Sequence, residues 1–144
     1  MAATLRALFL RLYFVPFYQL LYTSELSPAT SPKVIAEIIV QARTYNIGRG
    51  ITGLLLFDGA HFVQVLEGER DDVIALMQKI EHDHRHFAVT RLHEGSVEAR
   101  HFQTFSLGYW YFEDESRVMK LREMRGHAAM EELRSRHLEF DVAS

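Results

Sequence analysis

An α+β fold follows from three features of the sequence. Strand-like and helical segments alternate in the order β-α-β-β-α-β, Asp58-Gly59 joins two of the strands as a hairpin turn, and Asn46 with Gly48 supplies a stop signal for the first helix. That order is the ferredoxin-like pattern, which places both helices on one face of an antiparallel sheet. A fifth strand and a C-terminal extension come after it. The extension, with short amphipathic helical periodicity, is the only material left to cover the other face.

The first strand spans Phe17–Ser24, rich in aromatic residues and ended by Glu-Leu-Ser-Pro. Tyr18, Leu20 and Tyr22 share one of its faces. Ser31-Pro32 opens a helix, pairing a capping hydroxyl with a proline suited to the first helical position. Val34, Ile35, Ile38, Ala42 and Tyr45 form its apolar stripe, and Asn46 and Gly48 supply the stop. Ile51–Phe57 and Phe62–Leu66 flank the hairpin turn. Each run is apolar on both of its alternating faces, with Gln64 in the middle of the second, so these strands are expected to be covered from both sides. A second helix starts at Asp71 or Asp72, buries Val73, Leu76, Met77 and Ile80, and ends near Asp83. Ala88–Val97 and Thr104–Phe112 read as two further strands. In the extension, Val118, Leu121 and Met124 precede Gly126, and Met130, Leu133 and Leu138 follow it.

Composition removes several classes of function. With 144 residues the chain is sized for one domain with a real core. A net charge of −3 gives no basic footprint for nucleic acid. The absence of cysteine excludes disulfides, thiolate nucleophiles and cysteine-ligated metals, and fits a cytoplasmic setting. Met1–Val15 is apolar but interrupted by Arg6 and Arg11, and it is too short to span a membrane. An added amphipathic helix and a start codon placed too far upstream both account for it. The histidines of His82-Asp83-His84-Arg85-His86, with His93 and His101 beyond, lack the helical H-x-x-x-H spacing of a metal site, so a solvated polar turn is expected. There is no G-x-S-x-G elbow and no phosphate loop. Nothing here specifies an enzyme.

What remains is a polar trio on otherwise apolar elements: Tyr22, Asn46 and Gln64. In the ferredoxin-like order the first and third strands are neighbours, which lets Tyr22 meet Gln64. Gln64 shares its face with Phe62 and Leu66, and a buried amide without partners costs roughly 1–3 kcal/mol. Two readings stand side by side: a glutamine satisfied by nearby backbone, or one aimed at a polar ligand. A cleft between the helices, walled by Ile38 and Ile80 and open to Lys79 and Asp83, suits a planar ring with an amide edge.

Four stretches sharpen this: Leu-Leu-Tyr-Thr-Ser around Tyr22, Asn46 ahead of Gly-Ile-Thr-Gly-Leu-Leu, Phe-Val-Gln-Val-Leu-Glu-Gly around Gln64, and Asp-His-Arg-His from Asp83. On these the sequence resembles the BLUF domain, a blue-light-sensing flavin module, over Phe17 to about Tyr111. The resemblance implies a non-covalent FAD between the helices, with Tyr22 as the photoactive tyrosine and Gln64 as the switching glutamine. It implies Asn46 as the residue that grips the flavin's carbonyl and imide edge. Lys79, Asp83, Arg85 and His86 fall at positions of further flavin contacts. It also implies C-terminal helices on the far sheet face and output to a partner protein, with no effector domain after Ser144. Self-association stays open.

The resemblance has two departures. Relatives commonly carry a W-x-M pattern on the last strand, where this chain has Phe105-Ser-Leu107, so the signal-coupling positions are altered. Trp110 has the opposite parity and is expected to face away from the flavin side. Tyr45 stands where relatives often have a polar residue. The expected division is an extension over 1–16, a flavin-binding domain over 17–112 and a helical cap over 113–144. The rival is a light-insensitive ferredoxin-like interaction domain, in which Tyr22 and Gln64 are satisfied core polars.

Overall fold

A computed structural model describes residues 16–109, 116–135 and 141–143. The elements run β1 (Phe17–Leu26), α1 (Pro32–Gly48), β2 (Thr52–Phe57), β3 (His61–Gly68), α2 (Arg70–Glu81), β4 (His86–Val97) and β5 (Phe105–Tyr109). They continue with α3 (Ser116–Glu123), α4 (His127–Ser135) and β6 (Asp141–Ala143). The sheet order is β4-β1-β3-β2-β5-β6, with β2 and β5 parallel and the other pairs antiparallel. The first four strands therefore take the ferredoxin-like order, and the fifth adds at the β2 edge.

Strand parity divides the core as the sequence requires. Leu20, Tyr22 and Leu66 pack against Val73, Leu76 and Met77 of α2, with Tyr45 alongside. Leu55, Phe57, Phe62 and Phe105 pack against Ile35, Ile39 and Ala42 of α1. The opposite face carries Leu21, Leu54, Leu56, Val63 and Val65 under Leu121 of α3 and Ala129, Met130 and Leu133 of α4. Burying each large apolar side chain contributes about 1.5–3 kcal/mol, so both layers are needed to cover central strands that carry apolar residues on both faces.

Several boundaries differ from expectation. The first helix runs to Gly48, which puts Asn46 in its last turn; its carbonyl accepts from the Arg49 and Ile51 amides at 3.2 and 2.9 Å. Ser31 makes no side-chain cap, although its carbonyl accepts from the Val34 amide at 3.0 Å and proline stands at the first helical position, as expected. The fourth strand begins at His86 rather than Ala88, because the first continues to Leu26 and the two residues pair. The fifth begins at Phe105, one residue later than expected, where it first pairs with Gly53 of β2 and the Thr104 carbonyl accepts from the Gly53 amide at 3.1 Å. Its expected end over Trp110–Phe112, and Trp110's own orientation, lie outside the described residues, as does Met1–Val15. Within the expected helical cap, Asp141–Ala143 instead forms a strand on the sheet edge, paired to Leu107–Tyr109.

Two features at the N-terminal end of β2 fix that edge. Gly53 has φ +150°, and a Cβ there would lie 1.8 Å from the Val65 carbonyl oxygen. Only glycine fits. Glu67 is fully buried; its carboxylate accepts from Gln19 Nε2 at 2.9 Å and from the backbone amides of His101 and Phe102 at 2.9 and 2.7 Å. Arg100 meanwhile donates to Thr52 Oγ1, the Glu67 carbonyl and the Gly50 carbonyl. The connection leading into β5 is thereby held to the sheet.

Candidate functional site

The cleft between α1 and α2 closes over the centre of the sheet as a cavity of about 350 Å³, small within the roughly 300–1,000 Å³ range of ligand pockets. Ile38, Ala42 and Asn46 of α1, Leu76, Lys79 and Ile80 of α2, and Leu55, Phe62, Gln64 and Tyr22 of the strands line it. Asp83, Arg85 and His86 complete it where α2 gives way to β4. All nine cofactor-contact positions expected from the sequence thus border one cavity.

Tyr22 and Gln64 are direct partners across the β1–β3 ladder, 4% exposed each. The Tyr22 hydroxyl donates to Gln64 Oε1 in a short hydrogen bond. Burial pushes the Tyr22 phenol well above its ordinary value, with the Asp83 carboxylate adding to the shift, so the proton stays on oxygen. Among the described residues nothing accepts the Gln64 Nε2 hydrogens.

Asn46 is fully buried, and among the described residues neither Oδ1 nor Nδ2 has a hydrogen-bond partner. Leaving such groups unpaired costs roughly 1–3 kcal/mol each, so an occupant that supplies both a donor and an acceptor is favoured here. The amide and carbonyl edge of a flavin has that donor–acceptor pattern. The residues present fit the group.

The remaining polar residues are already engaged. Arg85 clasps Asp83 through Nε and Nη2 and reaches Gln41 Oε1 on α1 at 3.1 Å, bridging the cavity mouth. The hydrogen bond from Arg85 holds the Asp83 carboxyl below its usual range. His86 sits with Nδ1 2.8 Å from Ser24 Oγ and Nε2 2.5 Å from the Ile80 carbonyl, an anchored wall residue rather than part of a solvated turn. Its ring stands edge-on to Tyr22 with centroids 6.5 Å apart. The Lys79 ammonium lies over the Tyr45 ring, 4.6 Å from its centroid. Among the described residues no cluster of histidines and carboxylates has metal-holding geometry.

Phe105 and Leu107 face the same side as Gln64. Phe105 is buried with Leu55, Phe57 and Phe62, and Leu107 packs against that group. Sequence reasoning did not single out Gln41 or Leu55 for the site. Leu55 was hidden in an apolar run, and Gln41 signals only once the α1–β4 approach is known.

This cavity, on this sheet order, defines a flavin-binding light-sensor domain. The chain belongs to the BLUF family, sensors of blue light using FAD, whose pattern matches residues 17–108. Among relatives, the blue light- and temperature-regulated antirepressor BluF of Escherichia coli K12 is 35% identical over 83 residues, covering 58% of this chain and 21% of that protein. The photoactivated adenylate cyclase subunit beta of Euglena gracilis is 36% identical over 81 residues, covering 56% of this chain and 9% of that protein. The chain thus matches only a small part of these relatives' lengths. Among solved structures, the BLUF protein BlrB in its dark state aligns with TM-score 0.68 and 28% identity, covering 84% of this chain and 94% of that one. The photo-activated state of BlsA aligns with TM-score 0.63 and 29% identity, covering 74% and 79%.

Proposed function

We propose that this domain senses blue light through the Tyr22–Gln64 pair, with FAD held between α1 and α2. The observation that carries the reading is the Tyr22 hydroxyl bonded to Gln64 Oε1 on the wall of a cavity whose opposite side presents the unpaired Asn46 amide. The rival, light-insensitive reading takes Tyr22 and Gln64 as core polars that satisfy each other, and it gives no account of the buried Asn46 amide, which has no partner among the described residues.

When bound, FAD supplies blue-light absorption and, once excited, a strong one-electron oxidant. Asn46 would hold the carbonyl and imide edge, while Ile38 and Ile80 would pack against the ring and exclude water. Lys79, Asp83, Arg85 and His86 form the polar end of the slot. Tyr22 would give up the electron, its phenolic proton being already directed at Gln64 Oε1. Gln64 would accept that proton at Oε1 and release one from Nε2, and when the electron and a proton go back to Tyr22 the amide would be left rotated or tautomerised. Its two ends are unlike, one acceptor and one donor, so this exchange rewires the site without backbone movement. The altered hydrogen bonds from Gln64 would shift the absorption of the bound flavin to the red.

Output is to a partner protein rather than through chemistry of this domain, in a cytoplasmic setting. No helix among the described residues is long and apolar enough to cross a membrane. Phe105 and Leu107 on β5 are the coupling positions, next to Leu55 and Phe62 of the cavity wall.

The test is direct. Purified protein carries one flavin per chain, released unmodified on denaturation, and blue light red-shifts its absorption reversibly. Tyr22→Phe and Gln64→Leu each keep the flavin and abolish the shift. A folded, colourless protein that FAD cannot reconstitute, or a normal photocycle in either variant, overturns the reading.

A further inference from the structure

Among the described residues, one other phenol besides Tyr22 lines the cavity: Tyr45, in the last turn of α1 beside Asn46. Phe62 and His86, the other rings of the wall, are much harder to oxidise. Tyr45 therefore borders the space of a photo-oxidant, as Tyr22 does, yet its surroundings differ in two respects. Lys79 Nζ and Arg49 Cζ lie 4.6 and 4.7 Å from its ring centroid. Cations over the π face make removal of an electron from the ring harder. In addition, no protein group among the described residues accepts the Tyr45 hydroxyl, whereas Tyr22 has Gln64 Oε1.

We infer that Tyr45 is a second, unproductive electron donor to the excited flavin, restrained by Lys79 and Arg49 so that light drives the Tyr22–Gln64 path. This rests on the proposed function above. In the side reaction Tyr45 gives one electron to the excited flavin, and its phenolic proton passes to water at the half-buried edge of the ring. The electron and a proton from water then return, restoring tyrosine and flavin. No amide faces the Tyr45 hydroxyl, so Gln64 is unchanged and no red shift results. Each photon spent this way is lost to signalling, and the two cations set how many are lost.

The experiment uses the full chain with FAD bound, dark binding being confirmed by fluorescence titration for every variant. The flavin excited-state lifetime and the red-shift yield per absorbed photon are measured for the parent, Tyr22→Phe, Tyr22→Phe/Tyr45→Phe, Arg49→Gln and Arg49→Gln/Tyr45→Phe. Tyr22→Phe is expected to lose the shift while its flavin stays quenched, and adding Tyr45→Phe lengthens the lifetime severalfold. Arg49→Gln lowers the red-shift yield, and Tyr45→Phe in that background restores it. Equal lifetimes in Tyr22→Phe and the double variant overturn the Tyr45 assignment and leave the Tyr22–Gln64 reading standing. A red shift that survives Tyr22→Phe, or failure of the parent to bind FAD, overturns that reading and this inference with it.

Discussion

Leu107 and Gln64 lie in one row of the sheet, separated only by Leu55, which is the direct partner of both. Tyr22 extends the row beyond Gln64 and Ala143 extends it beyond Leu107. A rearranged Gln64 side chain thus meets the β5 edge through purely apolar contacts. Restoring polar and polarizable groups by Phe105→Trp with Leu107→Met should strengthen that contact. The local red shift should persist in both proteins. The light-minus-dark difference in hydrogen exchange over residues 116–135 should be larger in the double variant. Equal differences would show that these positions do not limit transmission.

Asn46 trades stability for binding. Replacing its unpaired buried amide by Asn46→Leu should stabilise the flavin-free protein by about 1–3 kcal/mol. The same change should weaken FAD binding roughly tenfold or more, the loss of one hydrogen bond's free energy sufficing for that factor. Thermal melts without flavin and dark fluorescence titrations measure the two effects, which should have opposite signs.

Gly53 tolerates no side chain. Gly53→Ala combines an unfavourable backbone angle with a Cβ driven into the Val65 carbonyl, so the central β2–β3 ladder must part there. A loss above roughly 3 kcal/mol is expected, in the range reserved for core clashes and backbone strain. Denaturant midpoints beside a Gly59→Ala control, where nothing stands within 4 Å, separate the clash from turn strain.

Acid should loosen the attachment of α4. His93 on β4 and His127 at the start of α4 have ring centroids 5.0 Å apart. Burial pushes the His93 imidazole below its ordinary value, the neighbouring His127 adds to this, and Glu94 opposes it. As pH falls through about 6.5 the unfolded chain takes up this proton while the folded chain does not, so stability declines until the lower folded value is passed. His127→Gln should flatten the melting-temperature profile between about pH 7 and 5. An unchanged slope would show that His127 contributes nothing to the shift at His93.

Much of this site was legible beforehand because strand parity and element order leave little freedom. With β1 beside β3, even-numbered Tyr22 and Gln64 had to share the helix-covered face, and Phe105 and Leu107 followed by the same rule. The end of α1 was harder to read. Asn46 and Gly48 resemble stop signals, yet the helix keeps both and ends through carbonyl contacts to Arg49 and Ile51. Three residues without turn chemistry give no warning of β6. Glu67 was hidden for another reason: its partners at 101 and 102 are backbone amides, which leave no mark on side-chain patterns.

That buried carboxylate has a mechanical consequence. With Glu67 gripping the chain at 101 and 102 and Arg100 pinned to residues 50, 52 and 67, the entry to β5 is a fulcrum. A push at Leu107 then cannot slide the strand along its length. It is handed sideways instead, to the strands laddered on either side: Thr52–Phe57 and, at the outer edge, Asp141–Ala143.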